Sequence, residues 1–251
     1  MISTLGIDLA LNHSAFVELI DGELGRFWYV TDRLESFKKG KKQGRSVLLK
    51  VPTKDKDTSE LWRLSWWRGF LPAFIETVHP NYIGLEDYAF AAKGRVYQIG
   101  ELGGLARLGL WDSGVKFRLY DPDSVKMFVA HDGHADKQMV RTAVKGRWGI
   151  DFDQYDYTSK PNKKFPEGTR ITQTSEDLCD AYAVARLVWT EILLRDGTLT
   201  MKELHEKEIQ AFNRVTKAYP TNILGREFIQ RPRGDYSSER AGGMAFESLK
   251  G

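Results

Sequence analysis

Four acids in this chain stand where acids are costly without a partner. Asp8 directly follows the apolar run Leu5-Gly6-Ile7, and Glu86 directly follows Tyr82-Ile83-Gly84-Leu85. Asp177 and Asp180 are three residues apart in SEDLCDAYAVARLVWTEILL, a segment with helical spacing, so they project from one face. Leu178, Ala181, Ala185 and Val188 place that face near a core. An unpaired carboxylate at the end of a buried strand is expensive, and like charges on one helix face repel. A cation removes both costs. Four oxygen donors of this kind suit Mg²⁺ or Mn²⁺. Two such ions about 3.5–4 Å apart activate a water and stabilise a leaving oxygen in phosphodiester hydrolysis. Taken singly, Asp8 also suits a turn cap and Asp177 a first-turn acid beside the helix dipole. No His/Cys cluster with zinc spacing competes, and His131 and His134 read as surface or DNA-facing histidines.

The elements that must position these acids follow from periodicity. Thr4 to Val30 reads as a three-strand meander, with Asp21-Gly22 as a hairpin turn. Ser59 to Val78 has apolar residues at three- and four-residue spacing and is predicted helical, its tryptophans Trp62, Trp66 and Trp67 directed to the core. Asn81 to Asp87 is a buried strand, 96–111 a helix, and 117–120 a strand. Asp121-Pro122-Asp123 caps a short helix to about Val129, and a basic helix spans about 136–147. Residues 148–173 read as a polar loop, Ser175 to Leu194 as a strong helix, and Thr200 to Tyr219 as a charged helix. This order predicts an α/β fold, a mixed five-stranded sheet flanked by helices with a C-terminal helical appendage. Ligands of such sheets gather at strand ends, where Asp8 and Glu86 fall. The predicted division is a domain over 1–195, with a basic insertion at about 33–58 and the 148–173 loop, and an extension over 196–251.

Composition bounds the possibilities. With 251 residues, 41% hydrophobic and 28% charged, the chain can bury a sizeable core. The single cysteine, Cys179, forbids an internal disulfide and fits a reducing compartment. The N-terminus lacks a basic segment before its apolar stretch, and no run of about 18 apolar residues occurs, so neither a signal peptide nor a membrane span is expected. The expected location is cytoplasmic. The net charge is only +3, but cations concentrate in 38–56 and at Lys93, Arg95, Arg141, Lys145 and Arg147, with Arg226, Arg231, Arg233 and Arg240 later. Such a surface neutralises phosphates independently of sequence.

The motifs also resemble a known family. Gly6-Ile7-Asp8, Tyr82-Ile83-Gly84-Leu85-Glu86 and the D-x-x-D-A-x-A-x-A helix from Asp177 are similar, in order, to the three acidic motifs of RuvC-type Holliday-junction resolvases in the RNase H-like superfamily. Val125-Lys126, then Gly133-His134-Ala135-Asp136-Lys137-Gln138-Met139-Val140, matches the family's V-K pair and G-x-A-(D/E)-K-x-x-V segment. The resemblance runs from about Leu5 to Ala185. It implies an RNase H-like fold and a homodimer that nicks a four-way junction in pairs, leaving 5′-phosphate and 3′-hydroxyl ends. It implies two Mg²⁺ per site, with Mn²⁺ able to substitute, on Asp8, Glu86, Asp177 and Asp180. Lys126 and Lys137 are then catalytic and phosphate-facing. Tyr88 and Phe90 are placed against unpaired bases, where aromatic faces stack, and Lys93, Arg95 and Arg141 join the DNA-binding set. The helix at 96–111, with Gly100, Gly103 and Gly104, matches a family helix at the dimer interface.

The chain departs from the family pattern too. Leu9-Ala10 follows Asp8 where many relatives have Pro-Gly, the 148–173 loop is long, and neither the basic insertion nor the extension has a counterpart. These departures suit a divergent phage or mobile-element member, acting in the host cytoplasm. They also leave open a broader flap or fork nuclease. Two other classes share parts of the pattern: a sugar-kinase or actin-like ATPase, which also opens with strand, acid and hairpin, and a catalytically silent DNA-binding module.

Overall fold

The computed structural model describes residues 1–31, 46–50, 59–87, 96–158 and 167–232. The meander is β1 (Ser3–Asp8), β2 (His13–Ile20) and β3 (Glu23–Thr31), antiparallel in turn. Asp21 and Gly22 take positive φ in the β2–β3 turn, as a tight hairpin requires. A helix, α1 (Ser59–Val78), leads into β5 (Tyr82–Glu86), which lies parallel to β1. A second helix, α2 (Val96–Ser113), leads into β6 (Lys116–Tyr120), parallel to β5. The five expected strands are present, and the basic insertion adds a sixth, β4 (Ser46–Lys50), parallel to β3 at the edge. The sheet order is β4-β3-β2-β1-β5-β6. The insertion was read only as basic because its lysines mask the short Val47-Leu48-Leu49 run.

Strand alternation sorts the sheet into two faces. Leu5, Ile7, Phe16, Trp28, Val30, Ile83 and Leu85 face α1 and α2, where Trp67, Leu71, Phe74 and Leu102 complete one core. Ala15, Val17, Leu19, Phe27 and Tyr29 face the other way, onto α5 (Gln173–Asp196). Beside α5 lie α3 (Pro122–Ala130) and α4 (Lys137–Trp148). Asp121 and Asp136 N-cap α3 and α4 through Ser124 N and Met139 N. Trp67 is core as expected, but Trp62 at the start of α1 is 62% exposed.

The stretch expected to be a loop is partly ordered around the core. Phe152 is buried against Phe27, and Tyr157–Thr158 (β7) pairs with Arg170–Ile171 (β8). The charged helix expected over 200–219 is shorter. A 3₁₀ turn at Met201–Glu203 precedes α6 (Glu206–Asn213), which starts at His205 through a capping box with Glu208. It stops at Arg214, whose backbone is extended and whose guanidinium binds Asp121 and Asp123. From there the chain runs back over the body: Phe212 and Ile223 are buried, and Ile229 bridges to Phe117. Among the described residues, no helix is long and apolar enough to cross a membrane.

Candidate metal centre

Two glycines bring the acids together. Gly6 and Gly84 are register partners on β1 and β5, on the face toward α5. A Cβ on Gly6 would stand 2.0 Å from the Ala181 carbonyl oxygen and 2.4 Å from Ala185 N. One on Gly84 would meet Val188 at 2.5 Å and Val184 at 2.7 Å. Helix and sheet are therefore in close contact at this pair. Two residues further along each strand, on the same face, come Asp8 and Glu86. One turn before Ala181 and Val184 on α5 come Asp177 and Asp180. The result is a carboxylate cluster at the strand ends: ligand atoms of Asp8, Asp177 and Asp180 all lie within 4.8 Å of one another. Glu86 flanks the three, close enough for its charge to act on Asp180 and for Asp8 to act on it.

The four acids are not equivalent. Burial and the charges of Asp177 and Asp180 hold Asp8 well above the usual carboxylate range. Burial and the neighbouring Asp8 push Glu86 up to about 8, against the opposing Lys126 and Lys137. Burial and Glu86 push Asp180 up to about 8. Asp177 goes the other way. Burial raises it too, but the hydrogen bond and charge of His13, then Lys137 and Gln173, outweigh burial and lower it. Its Oδ2 is 2.7 Å from His13 Nδ1 and accepts from the Tyr29 hydroxyl at 3.0 Å. Its Oδ1 accepts from Gln173 Nε2 at 2.6 Å and Lys137 Nζ at 3.1 Å. Asp177 is an anchored anion, whereas Asp8, Glu86 and Asp180 are short of positive charge. A hard divalent cation among three such oxygen donors would let all of them ionise.

Sequence reasoning missed His13, Tyr29 and Gln173. Gln173 was legible as the residue one turn before Asp177. Tyr29 has the same strand parity as Phe27 and so faces α5, but nothing in the sequence pairs it with Asp177. His13 looked like part of a polar turn, although it opens β2.

No family model matches the chain. Among curated proteins, the crossover junction endodeoxyribonuclease RuvC of Caldanaerobacter subterraneus subsp. tengcongensis is 31% identical over 100 residues, 39% of this chain and 61% of that protein. The match thus spans less than two thirds of that relative. Among solved structures, Thermus thermophilus RuvC in complex with a Holliday junction substrate aligns over 79% of this chain and 98% of its own, at 19% identity and TM-score 0.50. The chain is RuvC-type in fold. Thermus thermophilus RuvC alone and the yeast mitochondrial Holliday junction resolvase Ydc2 align at TM-scores of 0.47 and 0.44, with 19% and 16% identity, over 78% and 76% of this chain and 98% and 80% of theirs.

The remaining candidates divide unequally on this RuvC-type frame. Lys137, first residue of α4, reaches Asp177, Glu176 at 3.7 Å and Asp180 at 3.9 Å, and Lys126 on α3 acts on Glu86. Both lysines thus act on the acids by their charge. Arg141 is not a surface residue: it is 8% exposed and bound to Asp153 at 2.6 Å and Asp156 at 3.3 Å, which anchors the segment after α4. Arg147 is likewise taken up by the Phe128 and Val129 carbonyls and Glu208, and Lys145 by Asp151 at 2.5 Å. The α4 part of the expected positive surface is therefore largely spent on internal ion pairs. His131 is half-buried. It ends α3 in a left-handed conformation and stacks on His205, ring centroids 3.9 Å apart. Tyr88, Phe90, Lys93, Arg95, Arg233 and Arg240, with most of the basic insertion, lie outside the described residues. Cys179 is buried, its thiol pushed up by burial and the Asp180 charge, which makes it a packing residue.

Proposed function

We propose that this chain is a metal-dependent DNA endonuclease that resolves four-way junctions by paired nicking, with two Mg²⁺ held by Asp8, Glu86, Asp177 and Asp180. The observation that carries this reading is the imbalance within the cluster. Three half-buried acids of raised pKa lie beside one anchored carboxylate, a charge pattern that divalent cations would balance. The curated relative is named for crossover junction cleavage, and one aligned structure holds a junction substrate. Metal ions, when bound, supply Lewis-acid activation of water and charge for the leaving 3′ oxygen. The chain's own part is positioning and charge. Asp177, fixed by Tyr29, His13 and Gln173, gives the cluster one carboxylate of set orientation. Lys137 and Lys126 offer ammonium groups to the phosphate.

A homodimer follows from the same reading. On α2, Tyr97 and Leu108 are 66% and 60% exposed. Gly100 and Gly104 lie between them with open space beyond their Cα atoms. That exposed stripe would admit a second copy at close range, whereas Gly103 is buried against its own body. Such an enzyme would work in the cytoplasm, on DNA.

Cleavage of a panel of branched DNAs, with and without Mg²⁺ or Mn²⁺, tests the proposal. Symmetric paired nicks on a mobile four-way junction, lost in Asp8→Asn while junction binding persists, are the expected result. Equal cutting of flaps and forks would assign a broader nuclease, and full activity of Asp8→Asn would remove the metal assignment.

A further inference from the structure

The extension after α6 holds both the residue that follows Glu86 and the turn after the neighbouring strand β6. Asp87, the next residue, is 8% exposed at the point where the chain leaves β5. Its amide donates to the Tyr120 carbonyl at 2.8 Å. One of its carboxylate oxygens receives Arg107 from α2, and the other receives the Tyr219 hydroxyl. Arg214 bridges Asp121 at 3.0 Å, in the turn after β6, and Asp123 at 2.6 Å, in the first turn of α3. Asp121 is close enough for its charge to act on Glu86, and Arg214 is a cation paired with it.

The extension is built to present these two side chains. Thr216 N donates to the Tyr219 carbonyl at 2.9 Å, and Tyr219 N to Thr216 Oγ1 at 3.0 Å, closing a tight loop. The Arg226 guanidinium covers the Tyr219 ring, 4.3 Å from its centroid. The Arg226 carbonyl accepts from Arg118 at 2.7 Å and from Arg195 at 2.5 Å, which ties the segment to β6 and α5. A segment serving only to cover the sheet edge would need the Ile229–Phe117 bridge and the buried Phe212 and Ile223, not two polar side chains set on the residue after Glu86 and on the turn after β6.

We propose that Tyr219 and Arg214 are positioning residues for Glu86. In this role the C-terminal extension, which sequence motifs leave without a purpose, completes the catalytic centre from outside the sheet. The inference rests on the nuclease reading for its consequence in cleavage, but its geometric part concerns metal affinity alone. Tyr219→Phe removes one hydroxyl and keeps the ring under Arg226.

The test uses the full chain, with Tyr219→Phe, Asp87→Asn, the double variant, and Gln230→Ala as a control on the same segment far from the acids. Mn²⁺ affinity is read by electron paramagnetic resonance, four-way-junction cleavage under single turnover, junction Kd by anisotropy, and melting temperature by calorimetry. The expected result is a loss of roughly ten-fold in Mn²⁺ affinity and in cleavage rate for Tyr219→Phe, the size usual for partners that orient ligands. Junction Kd should hold, the melting temperature should fall only by the small cost of one donor lost from a buried carboxylate, the double variant should be no worse than Asp87→Asn, and Gln230→Ala should match the parent. Unchanged Mn²⁺ affinity in Tyr219→Phe overturns the proposal, as does a loss that only follows a fall in melting temperature. Arg214→Lys, which keeps the charge but not the fork, should recover part of what Arg214→Ala loses, and equal loss in both would count against that half. If the parent binds Mn²⁺ but cuts no DNA while Tyr219→Phe still weakens Mn²⁺, the nuclease reading fails and the brace stands.

Discussion

Tyr29 on β3 donates its hydroxyl to Asp177 Oδ2 on α5 across 3.0 Å, both side chains being buried. Burial and the Asp177 charge push the phenol far above its ordinary value, so it acts only as a donor. Tyr29→Phe deletes that donor and leaves His13, Gln173 and Lys137 on the carboxylate. The expected stability loss is about 1–2 kcal/mol, the cost of a buried acceptor losing one of several partners. Urea unfolding measures it. Cleavage should fall by more than stability does, roughly ten-fold, because the carboxylate gains rotational freedom. Cleavage that stays at the parent level would show that the other three partners suffice.

Stability without metal should fall as pH rises. Asp8, Glu86 and Asp180 have folded pKa values above their ordinary ones, the last two at about 8. Between the ordinary carboxylate range and about 8, the folded chain keeps protons that the unfolded chain has released. The unfolded state binds fewer protons, so stability declines through that window and levels off above it. Asp177, lowered, works in the other direction and loses its contribution only in acid. Urea midpoints taken in chelator at about pH 5.5 and 8.5 should therefore drop, and saturating Mg²⁺ should close the gap because cations replace the protons. A midpoint independent of pH in chelator would contradict the charge imbalance on which the metal assignment depends.

The acids and the layout of the sheet were legible because both are written in local patterns. Asp8 and Glu86 each end an apolar strand, and Asp177 and Asp180 share a helix face, so chain position alone suggested convergence. The run Phe27-Trp28-Tyr29-Val30 was likewise legible as a strand. What escaped were partnerships set by tertiary approach. His13 and Tyr29 are 164 and 148 residues from Asp177 along the chain, and neither type announces an acid partner. Arg141 and Arg147 looked like surface cations because a basic helix gives no sign that Asp153, Asp156 and Glu208 will fold over it. Residues 200–219 were read as one helix, since their charges hid the arginine that ends α6 on Asp121 and Asp123.

Gly6→Ala should be among the most damaging small substitutions in the chain. The added methyl would lie 2.0 Å from the Ala181 oxygen and 2.4 Å from Ala185 N, both backbone atoms that cannot rotate away. Either β1 or α5 must shift, at a cost of about 3 kcal/mol. A shift there also separates Asp8 from Asp177 and Asp180, so any folded fraction should bind Mn²⁺ more weakly. Gly69→Ala in α1, with open space around it, should instead stabilise by about 0.5–1 kcal/mol. Chemical denaturation of the two variants side by side checks the contrast, and similar midpoints would mean that the α5–β1 contact is looser than described.

Lys137→Met should tighten metal binding while slowing cleavage. The ammonium stands 3.1 Å from Asp177 and 3.9 Å from Asp180. Although burial lowers it, the charges of Asp177, Asp180 and Asp8 hold its pKa above the ordinary lysine value. It is therefore a fixed positive charge on the carboxylates that an incoming cation must share. Removing it while keeping the aliphatic stem lowers the repulsion. Nearly half of the side chain is exposed, so solvent screens the effect and Mn²⁺ affinity should rise only several-fold. Cleavage should nevertheless drop by ten-fold or more, because the phosphate loses a donor placed for its transition-state charge. Titration with Mn²⁺ and single-turnover cleavage at saturating metal separate the two effects. Weaker Mn²⁺ binding in Lys137→Met would show that this lysine orients Asp177 for the ion and does not compete with it.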